Sequence, residues 1–289
     1  MRYRRLGKTE LMVSEIGLGA EWLERHNAEE CRAVIDRCGE QGINILDCWM
    51  PDPKSRNIIG KGIKENRDKW FIQGHIGSTW KDNQYFRTRD MKYVRPAFED
   101  LLKRLQTDYI DLGMIHYVDS EQDWAQIQHS DYLDYIMGLK KAGVIRHIGI
   151  TNHRLSVAEE AVRSGLYETL QFPFSYLASE KEEALVRLCE EHDVGFICMK
   201  ALAGGLITRS DVAYAYLAQF PVAPIWGIQR ESELDEFLSY NDNPPALTPE
   251  RLAYIEQERR DLAGDFCRGC GYCMPCPVGI EINTCARMS

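Results

Sequence analysis

Eight short, β-rich apolar runs alternate with helix-period stretches along most of the chain, and no other feature constrains the fold as much. The runs cover residues 15–19, 43–48, 70–75, 109–116, 145–151, 169–172, 195–200 and 223–228. Many are almost continuously apolar, as strands covered on both faces must be. Between them lie amphipathic segments such as 28–41, 92–106, 124–142 and 181–192. Gly39, Gly42 and Gly143 fall near helix ends, where a left-handed cap favours glycine. Eight β-then-α units predict an α/β fold, the parallel (β/α)8 TIM barrel. An open doubly wound sheet would carry Gly-x-Gly-x-x-Gly after its first strand, and Gly17-Leu18-Gly19-Ala20 is only a fragment of that turn.

The 289 residues fit one such barrel, which commonly takes about 250, plus a short appendage. Residues 3–13 read as a hairpin around Gly7-Lys8-Thr9 that closes the barrel floor. Residues 231–239 read as the last barrel helix, and 241–245 as a polar, proline-bearing linker. A further helix is predicted over 248–263, with Thr248 as N-cap and Pro249 in its first turn. The expected organisation is a barrel over 1–240, a linker and helix over 241–263, and a cysteine-rich, ferredoxin-like tail over 264–289.

Hydrophobic residues make up 44% and charged residues 27%, the composition of an ordinary soluble globular chain. A formal net charge of -9 argues against nucleic acid as the partner. No apolar run reaches membrane-spanning length, and no apolar segment follows the basic start at Met1–Arg5. A cytoplasmic location is therefore expected, where a disulfide framework is improbable. Of ten cysteines, Cys31, Cys38, Cys48, Cys189 and Cys198 are scattered and read as small buried hydrophobes. The rest, Cys267, Cys270, Cys273, Cys276 and Cys285, crowd together in a way that packing does not explain.

Chemistry in a barrel sits at the C-terminal ends of its strands. Those ends carry Asp47, His75, His116, Thr151-Asn152-His153, Gln171, Met199-Lys200 and Gly227-Ile228-Gln229-Arg230. Here the chain resembles the aldo/keto reductases, over roughly residues 1–240. The likeness lies in Tyr3-Arg4-Arg5-Leu6-Gly7-Lys8-Thr9, Val13-Ser14-Glu15-Ile16-Gly17-Leu18-Gly19, Asn44-Ile45-Leu46-Asp47 and Tyr109-Ile110-Asp111-Leu112 ending in His116. It continues in Ile148-Gly149-Ile150-Thr151-Asn152-His153 and Met199-Lys200-Ala201-Leu202-Ala203-Gly204-Gly205.

The resemblance implies an oxidoreductase that reduces a small-molecule carbonyl with hydride from NADPH, using an aspartate, a tyrosine, a lysine and a histidine. Carried over, the aspartate is Asp47 and the histidine His116. The lysine position holds His75, and the tyrosine position, five residues after Asp47, holds Asp52. A phenol with a pKa near 10 is a poor acid unless a cation stabilises its phenolate. Loss of both residues together thus points to a replaced mechanism. His75 and His116 would form an imidazole pair that titrates near neutrality, with Asp47 orienting one ring. The plainer alternative is that these histidines are hydrogen-bonded mouth residues. Asp52 lies between Pro51 and Pro53, so its backbone is restricted.

The family's nicotinamide carboxamide contacts map onto Thr151, Asn152 and Gln171. Met199, followed by Lys200, stands where the family stacks an aromatic ring. Gly227 and Arg230 occupy the phosphate-binding loop, but Glu231 and Glu233 beside them would repel a 2′-phosphate. NADP, NAD and no dinucleotide all stay open.

Cys267-x2-Cys270-x2-Cys273-x2-Cys276-Pro277 resembles a ferredoxin half-motif, whose last spacing is normally one residue longer. The resemblance is to an aldo/keto reductase subgroup with a C-terminal ferredoxin extension, in which a second cysteine motif commonly follows. It implies a 4Fe-4S cluster with Cys276 or Cys285 as fourth ligand, or a chain cut before a second motif. Structural zinc would take two C-x2-C knuckles set further apart. Electrons would pass between nicotinamide and cluster, with a redox partner protein. The alternatives are a lyase or isomerase that uses Asp47, His75 and His116 for acid–base work, and a non-catalytic barrel that carries a cluster for a partner.

Overall fold

The computed structural model describes residues 1–20, 23, 26–262 and 276–285. Eight parallel strands close into a barrel in the order β10-β11-β12-β3-β4-β5-β8-β9. They are β3 (Gly17–Gly19), β4 (Ile45–Cys48), β5 (Phe71–Ile76), β8 (Ile110–Ile115), β9 (Ile145–Thr151), β10 (Thr169–Pro173), β11 (Gly195–Met199) and β12 (Val222–Trp226). Each predicted run overlaps one of these strands, with ends displaced by at most two residues, as strand ends commonly are. Among the described residues, no helix is long and apolar enough to cross a membrane.

The strands are largely apolar because most of their residues are buried, on both faces. Inward residues Ile45, Leu112, Met114, Ile197, Ala223 and Ile225 form one core inside the barrel. Outward residues pack against the helix ring in a second, larger core. Strands β1 (Tyr3–Arg5) and β2 (Met12–Ser14) form the predicted antiparallel hairpin. Its Leu6 and Val13 plug the inner core from below. Gly7 makes the close approach possible: it has φ +51°, and a Cβ there would stand 2.2 Å from the Gly195 nitrogen.

The helix ring departs from the sequence reading in two places. The single helix expected over 124–142 is two, α4 (Glu121–Ile127) and α5 (Asp131–Lys141). Ser130 causes the break: its hydroxyl accepts from the Leu133 nitrogen and starts a new helix. The last barrel helix, α9 (Glu231–Asp242), runs past 239 into the segment read as linker. Helix α10 (Pro249–Asp261) begins as expected, with Thr248 Oγ1 accepting from the Arg251 nitrogen.

One element was absent from the sequence reading. After β5 the chain turns outward as a hairpin, β6 (Ser78–Lys81) and β7 (Gln84–Arg87). Asp82 and Asn83 both take positive φ, 51° and 60°, which makes the two-residue turn whose twist suits a hairpin. Ser78 Oγ donates to the Trp49 carbonyl at 2.7 Å. Arg87 donates to the Tyr117 carbonyl and Arg89 to the His116 carbonyl, each at 2.7 Å, and both arginines pair with Asp123 at 3.0 Å. The hairpin is thereby bound down over one side of the barrel mouth.

Candidate active site

Strand register gathers the polar groups. Asp47 pairs with Gln73 across β4 and β5, and Thr151 with Gln171 across β9 and β10, so each pair shares a face. His75 lies two residues beyond Gln73 and points the same way. His116 follows β8 directly. Asp47, His75 and His116 are all buried, at 4%, 4% and 1% exposure.

These side chains touch. His75 Nε2 lies 2.8 Å from Asp47 Oδ1, and the other carboxylate oxygen accepts from Gln171 Nε2 at 2.9 Å. Gln73 Nε2 donates to Gln171 Oε1 at 2.9 Å, which holds that amide in place. His75 Nδ1 lies 2.9 Å from His116 Nδ1. On its far side, His116 Nε2 lies 2.7 Å from the hydroxyl of Tyr85, carried in by β7. Trp49 stacks parallel to His116 with ring centres 6.3 Å apart, and meets Tyr85 edge-on at 5.7 Å. Burial pushes the His116 pKa well below its ordinary value, and a charge on His75 and the guanidinium of Arg89 push it the same way.

Asp52 stands apart from this cluster. It is the N-cap of α2 (Pro53–Ile63), where its Oδ1 accepts from the Ser55 nitrogen at 2.8 Å. Asp-Pro is a good helix start, and that capping role fixes the side chain.

A cavity of about 330 Å³ opens above the cluster. Asp47, His75, Thr151, Gln171, Met199, Lys200 and Gly227 line it, together with Trp49 and Trp226. Its size is in the range of small-molecule sites. Asn152 follows the lining residue Thr151. It is fully buried, and neither atom of its amide has a hydrogen-bond partner. Buried amides are rarely left so. Arg230 is exposed and outside the lining, at the N-cap of α9. Glu233 accepts from the backbone nitrogens of Gln229 and Arg230.

Lys200, at φ +57°, belongs to a second polar chain. Its Nζ lies 3.0 Å from His153 Nε2, and His153 Nδ1 lies 3.0 Å from Asp119 Oδ2. Burial pushes the Asp119 carboxyl up, but the His153 hydrogen bonds outweigh it and hold the pKa below the ordinary value.

Cys31, Cys38, Cys48, Cys189 and Cys198 are buried, and burial raises the Cys38, Cys48 and Cys189 thiols to about 12. Cys267, Cys270 and Cys273 lie outside the described residues. Cys276 is half-buried and Cys285 exposed. Among the described residues, no group of three or more His, Cys, Asp or Glu is placed to hold a metal ion.

The sequence reading missed Trp49, Gln73 and Tyr85. Trp49 and Gln73 stand beside strand-end residues already singled out. Tyr85 had only one signal, the Asp-Asn turn between Thr79-Trp80 and Tyr85-Phe86.

The pattern of the aldo/keto reductase family matches residues 15–212. The chain belongs to the aldo/keto reductase family. It is 31% identical over 219 residues to the uncharacterized oxidoreductase YqkF of Bacillus subtilis, covering 74% of this chain and 69% of that protein. Aldo-keto reductase YhdN of the same organism is 29% identical over 222 residues, 72% of this chain and 64% of its own. The NADH-specific methylglyoxal reductase of Escherichia coli is 25% identical over 223 residues, 70% of this chain and 68% of its own. Among solved structures, the holo form of aldo-keto reductase AKR11C1 from Bacillus halodurans superimposes with a TM-score of 0.75 at 24% identity, covering 89% of this chain and 96% of that one. An aldo/keto reductase from Klebsiella pneumoniae, in complex with NADP and acetate, superimposes with a TM-score of 0.68 at 19% identity, covering 89% and 94%. The protein is thus an oxidoreductase of the aldo/keto reductase type.

Proposed function

We propose that this aldo/keto reductase reduces a small carbonyl compound at the barrel mouth with a nicotinamide dinucleotide, through an altered tetrad in which Asp47 and His116 are kept. The observation that carries the reading is a cavity of suitable size lined by Asp47 and His75, with His116 in contact with His75. Asn152 supports the dinucleotide: an unpartnered donor and acceptor on one buried amide complement a carboxamide. Thr151 and Gln171 would flank that group, and Met199 would lie against the ring. When bound, the dinucleotide supplies the hydride. The barrel residues exclude water and hold a proton beside the reacting carbonyl. Asp47 orients His75 by accepting from Nε2, and His75 in turn orients His116.

NADH is the favoured dinucleotide. Glu233 occupies the backbone donors at the start of α9, and its charge opposes a 2′-phosphate. A 4Fe-4S cluster on Cys267, Cys270, Cys273 and Cys276 rests on their spacing alone. A redox partner protein enters the reading only with that cluster.

The test is a fluorescence titration of the purified protein with NADH and NADPH, followed by dinucleotide oxidation assays over a panel of small aldehydes and ketones. Saturable NADH binding and carbonyl-dependent oxidation are expected. A protein that binds neither dinucleotide overturns the reading.

A further inference from the structure

We infer that a second cavity, which shares Lys200 with the one described above, binds a small apolar monocarboxylate, Lys200 holding the carboxylate and an apolar wall the rest of the molecule. Nothing at this site depends on the carbonyl-reduction reading.

The second cavity measures about 380 Å³ and lies where the chain leaves β10 and β11. Its wall is mostly apolar, formed by Phe172, Pro173, Phe174, Leu177, Ala178 and Ala203. The core fixes that wall. Phe172 and Phe174 are buried, and Phe174 meets Phe196 edge-on at 5.7 Å and Phe220 at 5.0 Å. Helix α10 braces the same loop from outside: Arg259 Nε donates to the Tyr176 carbonyl at 2.6 Å, and the Tyr176 hydroxyl donates to Glu258 at 3.1 Å. The cavity is therefore preformed. A volume of this order, apolar walls and a few convergent polar groups are what small-molecule sites share.

The polar side is Lys200 with His153. The Asp119 carboxylate can only accept, so His153 Nδ1 carries a hydrogen toward it across 3.0 Å. Burial, joined by the charge of Lys200, favours the neutral ring against the pull of Asp119. His153 Nε2 then accepts from the Lys200 ammonium at 3.0 Å. At this contact the ammonium meets an imidazole, and the carboxylate lies on the far side of the ring. Lys200 also holds φ +57°, a conformation unfavourable for any residue with a side chain, which persists only where the surroundings impose it. That corner puts Lys200 on the walls of both cavities.

Glu182 limits the charge of the ligand. Among the described residues it is the only carboxylate on the wall. Its Oε2 accepts from the Ser179 nitrogen at 2.7 Å, in the capping box of α7 (Glu180–Glu191), which keeps it there. A second negative group on the ligand would meet this charge, so the site suits one carboxylate, placed at Lys200.

Calorimetric titration of the full chain with phenylacetate tests the inference, with phenylacetamide as a neutral probe of the same shape. Phenylacetate should bind saturably, and about tenfold or more tightly than phenylacetamide, because only the acid gains a charge-assisted hydrogen bond from Lys200. Lys200→Met should bring phenylacetate down to the affinity of the amide. Ala178 lines the second cavity and not the first. Ala178→Leu narrows the second cavity and should weaken phenylacetate about fivefold or more. Unchanged affinity in Ala178→Leu would place the probe elsewhere and overturn the inference. Equal affinity for acid and amide in the wild type, or no saturable binding of phenylacetate, overturns it without any variant having to fold.

Discussion

The Nδ1 atoms of His75 and His116 face each other at 2.9 Å inside the barrel mouth, with both rings buried. Two facing ring nitrogens share a single hydrogen. A second charge there would meet both the first charge and the loss of water.

Stability should therefore fall on the acid side of neutrality. Burial, a charge on His75 and nearby arginines hold the His116 pKa below its unfolded value. Between the folded and unfolded values the unfolded state binds more protons, so stability is complete above about pH 6.5 and lost as pH falls from there toward the folded value. Burial lowers His153 in the same sense, against the pull of Asp119. Each group contributes at most about 1.4 kcal/mol per pH unit. Denaturant melts between pH 7.5 and 5.5 should show this slope (both values approximate, set about one unit either side of the ordinary histidine pKa). His116→Gln should reduce it, and an unchanged slope would show that His116 does not resist protonation.

Asp52 and His116 should separate stability from turnover. Asp52→Ala removes the α2 cap and should cost about 1 kcal/mol in denaturation, with kcat retained. His116→Ala removes the histidine that the proposed reaction keeps and should lower kcat about 10²-fold or more. Steady-state assays and melts on both variants check the pair. A large kcat loss in Asp52→Ala alone would return the proton transfer to the family's usual position.

Dinucleotide choice should turn on Glu233. The wild type should bind NADH about tenfold more tightly than NADPH, a difference of about 1.4 kcal/mol. Glu233→Ala frees the Gln229 and Arg230 nitrogens and removes the opposing charge, so the gap should narrow. Competitive titrations with both dinucleotides measure it, and equal NADPH affinity in the wild type would refute this preference.

The cysteine tail should bind iron. Anaerobic preparations should be brown and contain iron and sulfide, and Cys270→Ser should lose both, because three thiolates at this spacing wrap one cluster. Full iron and sulfide content in that variant would show that the ligands lie elsewhere. Zinc without sulfide in the wild type would replace the cluster with a zinc site.

The sequence by itself determined the barrel. A strand buried on both faces is nearly continuously apolar, and eight such runs between amphipathic helices have few ways to close. It also marked Asp47, His75 and His116, because they end strands, and register turns strand ends into one layer. The cap at Thr248 lies in a local rule of the same kind. Where local rules ran out, so did the reading: Ser130 divides a helix that the periodicity ran together. Only the tertiary structure decided which groups touch. The side-by-side pairing of β4, β5 and β8 sets His75 between a carboxylate and a second imidazole. Tyr85 joins them from a hairpin on no strand of the barrel, clamped by arginines whose partner, Asp123, lies on α4. A hydrogen bond between residues 31 positions apart leaves no period or spacing in a sequence, because its geometry is set by the packing of elements that are not neighbours in the chain.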